Sequence, residues 1–459
     1  MSRLKNFRQT ETLAELGRLR TELSSWLKRK KYADARGQYT TQLAVLEREL
    51  CDAIEALSQW VARDFSAANT GEVFRQLAMD DRRIIWIRDA WNFYRQKFDQ
   101  REVEELKTVL SAADEVLWSC YKPFFGGRAI PPAPLCCIDS SYVPGSIRPD
   151  QARHQLGRTT ETDTGVLAPF FQTLPIPILR LPPSVASSPW LLALIGHETG
   201  HFLLRLLPRA LDLLKEQIEK AVGQCCGSDD DKAAWRNCAE EIFCDFYFAL
   251  AVGPWAVWAL APWTLGPDAA MLTRDRYYPA PLARLRLIAV AAEALGLAGA
   301  EALRAELIGP LGTGGLSDQT KLDLRIAEQV GRFITVPLPD GEGSLLDRIV
   351  FRESDFTSDG VVDRWSAALS GDAQRADDHD LRTARLVCAA ALKASHSAAA
   401  IDDPYDQKAR LAKLRNEAPK RIAACFETAH RAAPQQTAML SSPVLARLLL
   451  EANEEMLMR

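Results

Sequence analysis

Two histidines lie four residues apart in the segment LIGHETGHFLL, residues 194–204, and Glu198 follows the first of them. Residues i and i+4 share one face of an α-helix, so His197 and His201 can present ring nitrogens to a single ion. Glu198 lies about 100° round the helix from His197, close enough to reach a water on that ion without binding the ion itself. This His-Glu-x-x-His pattern is typical of zinc sites in which two neutral imidazoles hold the metal and the glutamate takes a proton from the activated water.

The same histidines can also be core residues whose ring nitrogens bond to backbone groups. The segment from Leu191 to Leu207 is apolar almost all round, and its charged residues are Glu198 and Arg205. Burying an ionised glutamate and two imidazoles is costly unless something compensates them. A divalent cation provides that compensation, so the sequence favours a metal site.

A third protein ligand is needed, because catalytic zinc sites use three protein ligands and keep one position open. The segment CAEEIFCDFYFAL, about forty residues further on, places Glu241 and Asp245 at i and i+4. Glu241 can complete a His-His-Glu set, while Asp245 accepts the outer N–H of a ligand histidine and fixes its tautomer. Glu240 is a rival ligand, but its i+4 neighbour is Cys244, which cannot act as that acceptor. The helical geometry therefore favours Glu241.

A helix with His-Glu-x-x-His followed by a helix with Glu-x-x-x-Asp resembles the gluzincin group of zinc metallopeptidases. The resemblance rests on HETGH at 197–201 and EIFCD at 241–245, and more loosely on the edge-strand-like IPILRLP before them; it covers roughly residues 170–290. It implies a strand edge in IPILRLP that pairs with an extended substrate backbone. It also implies Zn²⁺ bound by His197, His201 and Glu241, Glu198 as the catalytic base, and Asp245 as the residue that orients a ligand histidine.

A weaker parallel concerns RYYPAPLARLRLI, residues 276–288. Some gluzincins carry a His-Pro before an Arg-rich apolar helix at this place, and that histidine helps to stabilise the transition state. Here Tyr278 precedes the proline, and a tyrosine O–H can donate a hydrogen bond to a developing oxyanion. The resemblance thus implies Tyr278 as a catalytic residue. Tyr277 is an alternative, and both tyrosines can instead simply pack beside Pro279.

Composition bounds the partners and the compartment. The 459 residues include 56 basic and 60 acidic side chains, a formal charge of −4, so no overall field recruits nucleic acid or an acidic surface. The N-terminal MSRLKNFRQTETLAELGRLR is charged throughout and lacks an apolar signal core. The ten cysteines, with adjacent pairs at 136–137 and 225–226, form no compact disulfide pattern. We therefore expect reduced thiols and a cytoplasmic protein.

Three regions must position the candidate residues. Residues 1–122 predict an N-terminal helical region of three or four helices, residues 123–300 a zincin-like metallopeptidase core, and residues 301–459 a C-terminal helical region. The predicted fold class is mainly α with a small β-sheet, an α+β chain. Loops and short strands such as APLCCIDSSYV precede the histidines. Helices are predicted from about Pro189 to Leu207, Ala210 to Val222, and Ala233 to the break at Gly253-Pro254.

Two further classes stay open beside a zinc-dependent metallopeptidase. The uncharged run at 246–267, FYFALAVGPWAVWALAPWTLGP, is nearly long enough for a membrane span, but Gly253-Pro254 and Pro262 favour two buried helices joined there over a membrane-associated metalloprotease. The other class is a non-catalytic helical interaction protein with a structural zinc, in which Cys238 or Cys244 fills the fourth position. The expected partners are a peptide or protein substrate and a regulatory protein docked on the terminal helices, with neither nucleic acid nor a membrane.

Overall fold

α-Helices make up most of the chain, and a small three-stranded sheet accompanies them. The predicted mainly helical class with a small sheet is confirmed. This computed structural model describes residues 2–34, 36–63, 69–125, 130–140, 144–146, 176–225, 227–308, 316–332, 349–371, 380, 382–426 and 444–451. The strands are β1 (Leu135–Ile138), β2 (Gly145–Ser146) and β3 (Ile178–Leu181). The helices are α1 (Ser2–Ala33), α2 (Thr40–Val61), α3 (Thr70–Asp99), α4 (Glu104–Tyr121), α5 (Ser184–Ser187), α6 (Ile195–Arg205), α7 (Pro208–Gln224), α8 (Asp229–Asn237), α9 (Ala239–Val252), α10 (Trp255–Thr264), α11 (Asp268–Met271), α12 (Pro281–Ala294), α13 (Ala300–Ile308), α14 (Asp318–Arg332), α15 (Val361–Ser370), α16 (Thr383–Ala399), α17 (Pro404–Ala424) and α18 (Val444–Glu451).

The N-terminal helices form because apolar residues recur at helical spacing and pack into one core. In α2 the side chains of Leu43, Leu46, Leu50 and Leu57 are all buried, as expected of one apolar stripe on a helix. Gly37 has a φ of +70° in the turn between α1 and α2, a backbone conformation that favours glycine. The described part of residues 1–122 contains helices α1 to α4, in agreement with the three or four predicted.

The sheet lies between two hydrophobic cores. β1 runs parallel to β3 with Leu135 opposite Ile178, and β2 pairs antiparallel with the other side of β3. Successive strand residues point to opposite faces. Cys137 and Ile178 accordingly pack with the N-terminal helices, whereas Cys136 and Leu179 pack with the helices that carry the histidines.

The strand in IPILRLP is the centre of this sheet. β3 has β1 on one side and β2 on the other, so the predicted edge strand that pairs with a substrate is wrong: the backbone at Leu179 and Arg180 already pairs with both neighbours. The outer strand beside α6 is β2. Much of the predicted loop-rich stretch, residues 147–175, lies outside the described residues.

The two motif helices differ from their predicted bounds. The predicted helix from Pro189 to Leu207 begins as a 3-10 turn, Pro189–Leu194, and continues as α6; 3-10 turns are frequent at helix N-termini. The helix predicted from Ala233 is divided at Cys238 into α8 and α9. Ser228 caps α8 by accepting from the Asp231 backbone N–H, so this helix begins several residues earlier than predicted.

The apolar run at 246–267 folds as the end of α9 and all of α10, which confirms the predicted pair of helices joined at Gly253-Pro254. Gly253 has a φ of +65°, which suits glycine at the end of a helix. In the part of the chain that the structure describes, no helix combines the length and apolar character needed to cross a bilayer.

Helices α6 and α9 cross at unusually short range because two glycines face the crossing. A Cβ placed on Gly200 would lie 2.9 Å from Cys244 Cα, and one on Gly196 would lie 3.0 Å from Ala251 Cβ. His197 and His201 follow these glycines directly. The close approach therefore brings the histidines of α6 against the carboxylates of α9.

The last described helix, α18, packs back on the N-terminal core. Leu445 and Leu449 are buried together with residues of α2 and α3. The Glu49 carboxylate accepts a hydrogen bond from the Leu445 backbone N–H (3.2 Å), and Arg83 Nε donates to the Leu449 carbonyl (2.9 Å). An acidic group at the N-terminal end and a basic group at the C-terminal end both oppose the charge of the helix dipole.

Gly200→Ala is expected to lower the free energy of unfolding by about 1–3 kcal/mol, because its Cβ would collide with the α9 backbone. The matched control is Gly17→Ala in α1, where a Cβ would meet no atom within 4 Å; it should be neutral or add up to about 1 kcal/mol. Urea unfolding of both variants measures the difference. Equal effects of the two substitutions would contradict the close crossing.

Candidate metal centre

Four of the predicted site residues converge between α6 and α9. His197 Nε2 lies 3.2 Å from Glu241 Oε2, and His201 Nε2 lies 3.7 Å from Glu241 Oε1. His197 Nδ1 lies 3.0 Å from Asp245 Oδ1. All four side chains are buried. One carboxylate, that of Glu241, thus faces the same ring nitrogen of both histidines.

The opposite ring nitrogens of the two histidines each face a different carboxylate. Asp245 lies at Nδ1 of His197, and Glu240 Oε1 lies 2.8 Å from Nδ1 of His201. Glu240, considered above as a rival ligand, is therefore on the far side of His201 from Glu241. A carboxylate that accepts the N–H at Nδ1 fixes the tautomer and leaves Nε2 as the electron-pair donor. Nε2 of each histidine accordingly faces one oxygen of the Glu241 carboxylate.

Arg284 of α12 completes the cluster and has no counterpart among the predicted residues. Its Nε and Nη2 donate to the two oxygens of Asp245 at 2.6 and 2.8 Å. Its Nη2 also lies 3.6 Å from Glu241 Oε2 and 3.5 Å from His197 Nε2. The sequence did contain a signal for this role, because Arg284 lies among Leu282, Ala283 and Leu285 in an apolar helix. A basic residue buried in such a helix needs a carboxylate partner.

The neighbouring charges shift the pKa values of the cluster. Burial acts to lower the pKa of His197, but hydrogen bonds to Asp245 and Glu241 outweigh burial and raise it to about 9. Burial acts to raise the pKa of Glu241, but its hydrogen bond with His197 and the nearby positive charges lower it to about 2. The pKa of Asp245 is also lowered, against its burial, chiefly by the charge of Arg284. The carboxylates therefore stay ionised, and without a metal His197 holds a proton in their place.

Cys244 lies close enough to the histidines to be a fourth candidate donor. Its sulfur and one ring nitrogen each of His197 and His201 lie within 4.8 Å of one another. Burial raises the pKa of this thiol well above its usual value, and the charges of Glu241 and other nearby carboxylates raise it further. A bound metal would itself deprotonate a coordinating thiol, so Cys244 stays a candidate ligand beside Glu241. The sulfur of Cys238, the other cysteine considered as a ligand, lies 3.4 Å from the Ala234 carbonyl. All nine cysteines that the structure describes are free thiols.

Glu198 and Tyr278 both line a cavity of about 410 Å³ that reaches His197 and Arg284. Tyr278 is 38% exposed, and partial burial together with the nearby charge of Glu241 raises the pKa of its phenol. The Arg284 guanidinium lies over the Tyr278 ring at 5.2 Å. Tyr278 is therefore a protonated donor beside the cluster. Tyr277 is 47% exposed and does not line this cavity.

The residues present fit a divalent cation. Two imidazole Nε2 atoms and the Glu241 carboxylate face one another, and imidazole with carboxylate is a ligand set that zinc accepts. The carboxylates of Glu240, Glu241 and Asp245 contact the two histidines, Glu198 lies beside His197 in the cavity lining, and one guanidinium, that of Arg284, contacts Asp245 and Glu241. This surplus of negative charge favours a cation at the centre. His197 and His201 could hold it together with Glu241 or with Cys244, whose sulfur lies within 4.8 Å of a ring nitrogen of each histidine.

Comparison with known proteins adds no assignment: no protein-family model, no curated protein and no solved structure matches this chain.

The raised pKa of His197 makes the stability of the metal-free protein depend on pH. A folded-state pKa of about 9 against about 6.5 in the unfolded chain means that the folded state binds the extra proton. Its stabilising effect is fully present below pH 6.5 and is lost as pH rises to about 9, at up to about 1.4 kcal/mol per pH unit. Urea unfolding of the metal-free protein between pH 6 and 10 tests this. His197→Gln should flatten the slope; an unchanged slope would contradict it.

Arg284→Met is expected to destabilise the protein by about 3–5 kcal/mol, because it leaves the buried Asp245 carboxylate without its bidentate partner. Arg286→Met on the same helix is the control. Arg286 is more exposed and pairs with Glu301 at 2.7 Å and Glu328 at 3.2 Å, so its loss should cost less than about 1 kcal/mol. Thermal unfolding compares the two variants, and a similar loss in both would disprove the role given to Arg284.

Proposed function

We propose that this chain is a zinc-dependent metallopeptidase with a zincin-like core, in which His197, His201 and Glu241 bind the metal and Glu198 is the general base. The observation that carries the proposal is the orientation of both histidines: each Nε2 faces Glu241, and each Nδ1 faces a separate carboxylate. A pair of core histidines needs no such shared arrangement. The presence of Glu198 in an open cavity beside His197 adds the reactive group that a purely structural site lacks.

The roles of the chain's own groups follow from their positions. Bound zinc would supply Lewis-acid activation of water and of the substrate carbonyl. The Glu198 carboxylate takes one proton from the attacking water while the water oxygen bonds to the carbonyl carbon. As the C–N bond breaks, Glu198 returns that proton to the leaving amine. Tyr278, kept protonated by its surroundings, donates a hydrogen bond to the carbonyl oxygen as negative charge develops there.

A peptide is the substrate class that the nearby backbone favours. β2 is the outer strand of the described sheet on the side of α6, and Pro144, directly before it, lines the cavity with His197 and Glu198. An exposed strand edge can pair with an extended peptide and hold its backbone across the site. β2 takes over the role that the sequence assigned to IPILRLP. The free thiols of the nine described cysteines support a cytoplasmic location for this enzyme.

A structural zinc is the second candidate function, because Cys244 lies with the two histidines within ligand range. In that case the protein would be a helical interaction module that binds a partner through its terminal helices. A closed site would use the Cys244 sulfur and give Glu198 no part in any reaction.

Glu198→Gln should keep a full complement of zinc and lose peptidase activity by at least about 100-fold, because it removes the base but no metal ligand. His197→Ala and Glu241→Ala should lose zinc. Zinc content is measured by elemental mass spectrometry. Activity is measured by incubating the protein with a tryptic digest of an unfolded protein and detecting the additional peptide termini by mass spectrometry.

His396→Ala, far from the cluster, and Glu216→Gln, on the exposed side of α7, are the matched controls and should change neither readout. Cys244→Ser should retain zinc. If it loses the metal, or if X-ray absorption shows sulfur bound to zinc, the structural alternative is correct. Activity that persists in zinc-loaded Glu198→Gln would overturn the proposed mechanism.

A further inference from the structure

The cavity beside Glu198 extends well beyond the candidate metal centre. His197, Glu198, Tyr278 and Arg284 line it together with residues of α10 and of the segment that follows α10. Its volume of about 410 Å³ falls in the range of pockets that hold small organic ligands. A peptide bound across the site therefore has room to place a large side chain in this cavity, next to the reacting atoms.

Most of the remaining cavity wall is apolar, and Thr264 and Thr273 add two hydroxyl groups to it. α10 contributes Leu260 and Trp263, and the residue before α6 contributes Leu194. Leu194 and Leu260 are each only 4% exposed, so their side chains are fixed by packing. Further apolar surface comes from Ala270, Pro279, Pro281 and Pro144.

The charges around the cavity disfavour an acidic group. The carboxylates of Glu198 and Asp275 line it together with one guanidinium, that of Arg284. Arg284 is already bound by both oxygens of Asp245 at 2.6 and 2.8 Å, so its charge is balanced within the protein. A substrate carboxylate in this cavity would meet two like charges and an already paired cation.

From this wall and these charges we propose that the cavity is the specificity pocket and takes a large apolar side chain, such as Phe or Leu, that flanks the cleaved bond. The inference rests on the proposed peptidase function for its chemistry. The preference for a large apolar side chain is determined by Trp263, Leu260 and Asp275. Burying a large apolar side chain against Leu260 and Trp263 supplies binding that a small or charged side chain cannot. Asp275, exposed at the mouth, excludes acidic side chains by repulsion.

The test uses one peptide sequence with Phe, Ala or Glu at a single position next to the cleaved bond. The zinc-loaded full-length protein should cleave the Phe peptide with a kcat/KM at least about tenfold above the Ala peptide, and the Glu peptide more slowly still. Trp263→Ala should reduce the Phe preference at least about tenfold. Trp258→Ala is the control, since Trp258 lies on the same helix but packs on His396 at 4.7 Å and not in the cavity.

Asp275→Lys provides a second variant that does not disturb the core. It should raise the ratio of kcat/KM for the Glu peptide to kcat/KM for the Phe peptide, because it replaces a repelling carboxylate with a cation. Cleavage of all three peptides at one rate, or a Phe preference that survives Trp263→Ala unchanged, overturns the proposed pocket and leaves the peptidase function standing.

Binding separates the two proposals. Calorimetry with zinc-loaded Glu198→Gln measures the affinity for the same three peptides without turnover. If the wild-type protein cleaves none of them but the Phe peptide binds at least about tenfold tighter than the Glu peptide, and Trp263→Ala removes that difference, the peptidase function fails and the apolar pocket stands. Equal affinities for the three peptides overturn the pocket.

Discussion

The close crossing of α6 and α9 is the constraint on which the candidate site depends. Gly196 and Gly200 allow α9 to approach to a distance at which any larger side chain would meet the Cys244 backbone or Ala251. His197 and His201, each next to one of these glycines, are thereby held against Glu241 and its neighbours. The residue types that pack the helices and those that can perform chemistry thus alternate along six residues of sequence. A substitution at one of these glycines would therefore also move the histidine next to it.

The second determinant is charge. Four carboxylates and one guanidinium lie near the two histidines, and the buried groups of His197, Glu241 and Asp245 shift one another's pKa values. Arg284 neutralises Asp245 and leaves Glu241 to face the imidazoles, while Glu240 sits at the more exposed side of His201, with 36% of its side chain accessible. This asymmetry gives each acid a different role, because Asp245 and Glu240 orient the rings, Glu241 faces the centre, and Glu198 faces the cavity. A cation in the middle would complete the balance that a proton on His197 now provides.

The sequence predicted what depends on local geometry. The i, i+4 spacings of His197 with His201 and of Glu241 with Asp245 were sufficient to predict which side chains lie together, because an α-helix fixes their direction. Arg284 escaped prediction because its partner Asp245 is 39 residues away and no helical spacing connects them. The order of the sheet was wrong for a related reason: β2 is only two residues long, Gly145–Ser146, and carries no strand signal that could have shown β3 to be central. The early start of α8 depends on the Ser228 cap, which lies in a polar loop that the sequence did not assign to a helix.

The position of α18 has a consequence for how the chain folds as it is made. Leu445 and Leu449 complete a core whose other members lie mainly in α1 to α3, and the hydrogen bonds that hold α18 join residues 366 and 396 positions apart. Part of the apolar surface of α1 to α3 is therefore covered by a helix that is synthesised several hundred residues after them. Contacts of such long sequence separation also slow the final step of folding. The core of α1 to α3 therefore becomes complete only when a segment distant in sequence has docked on it.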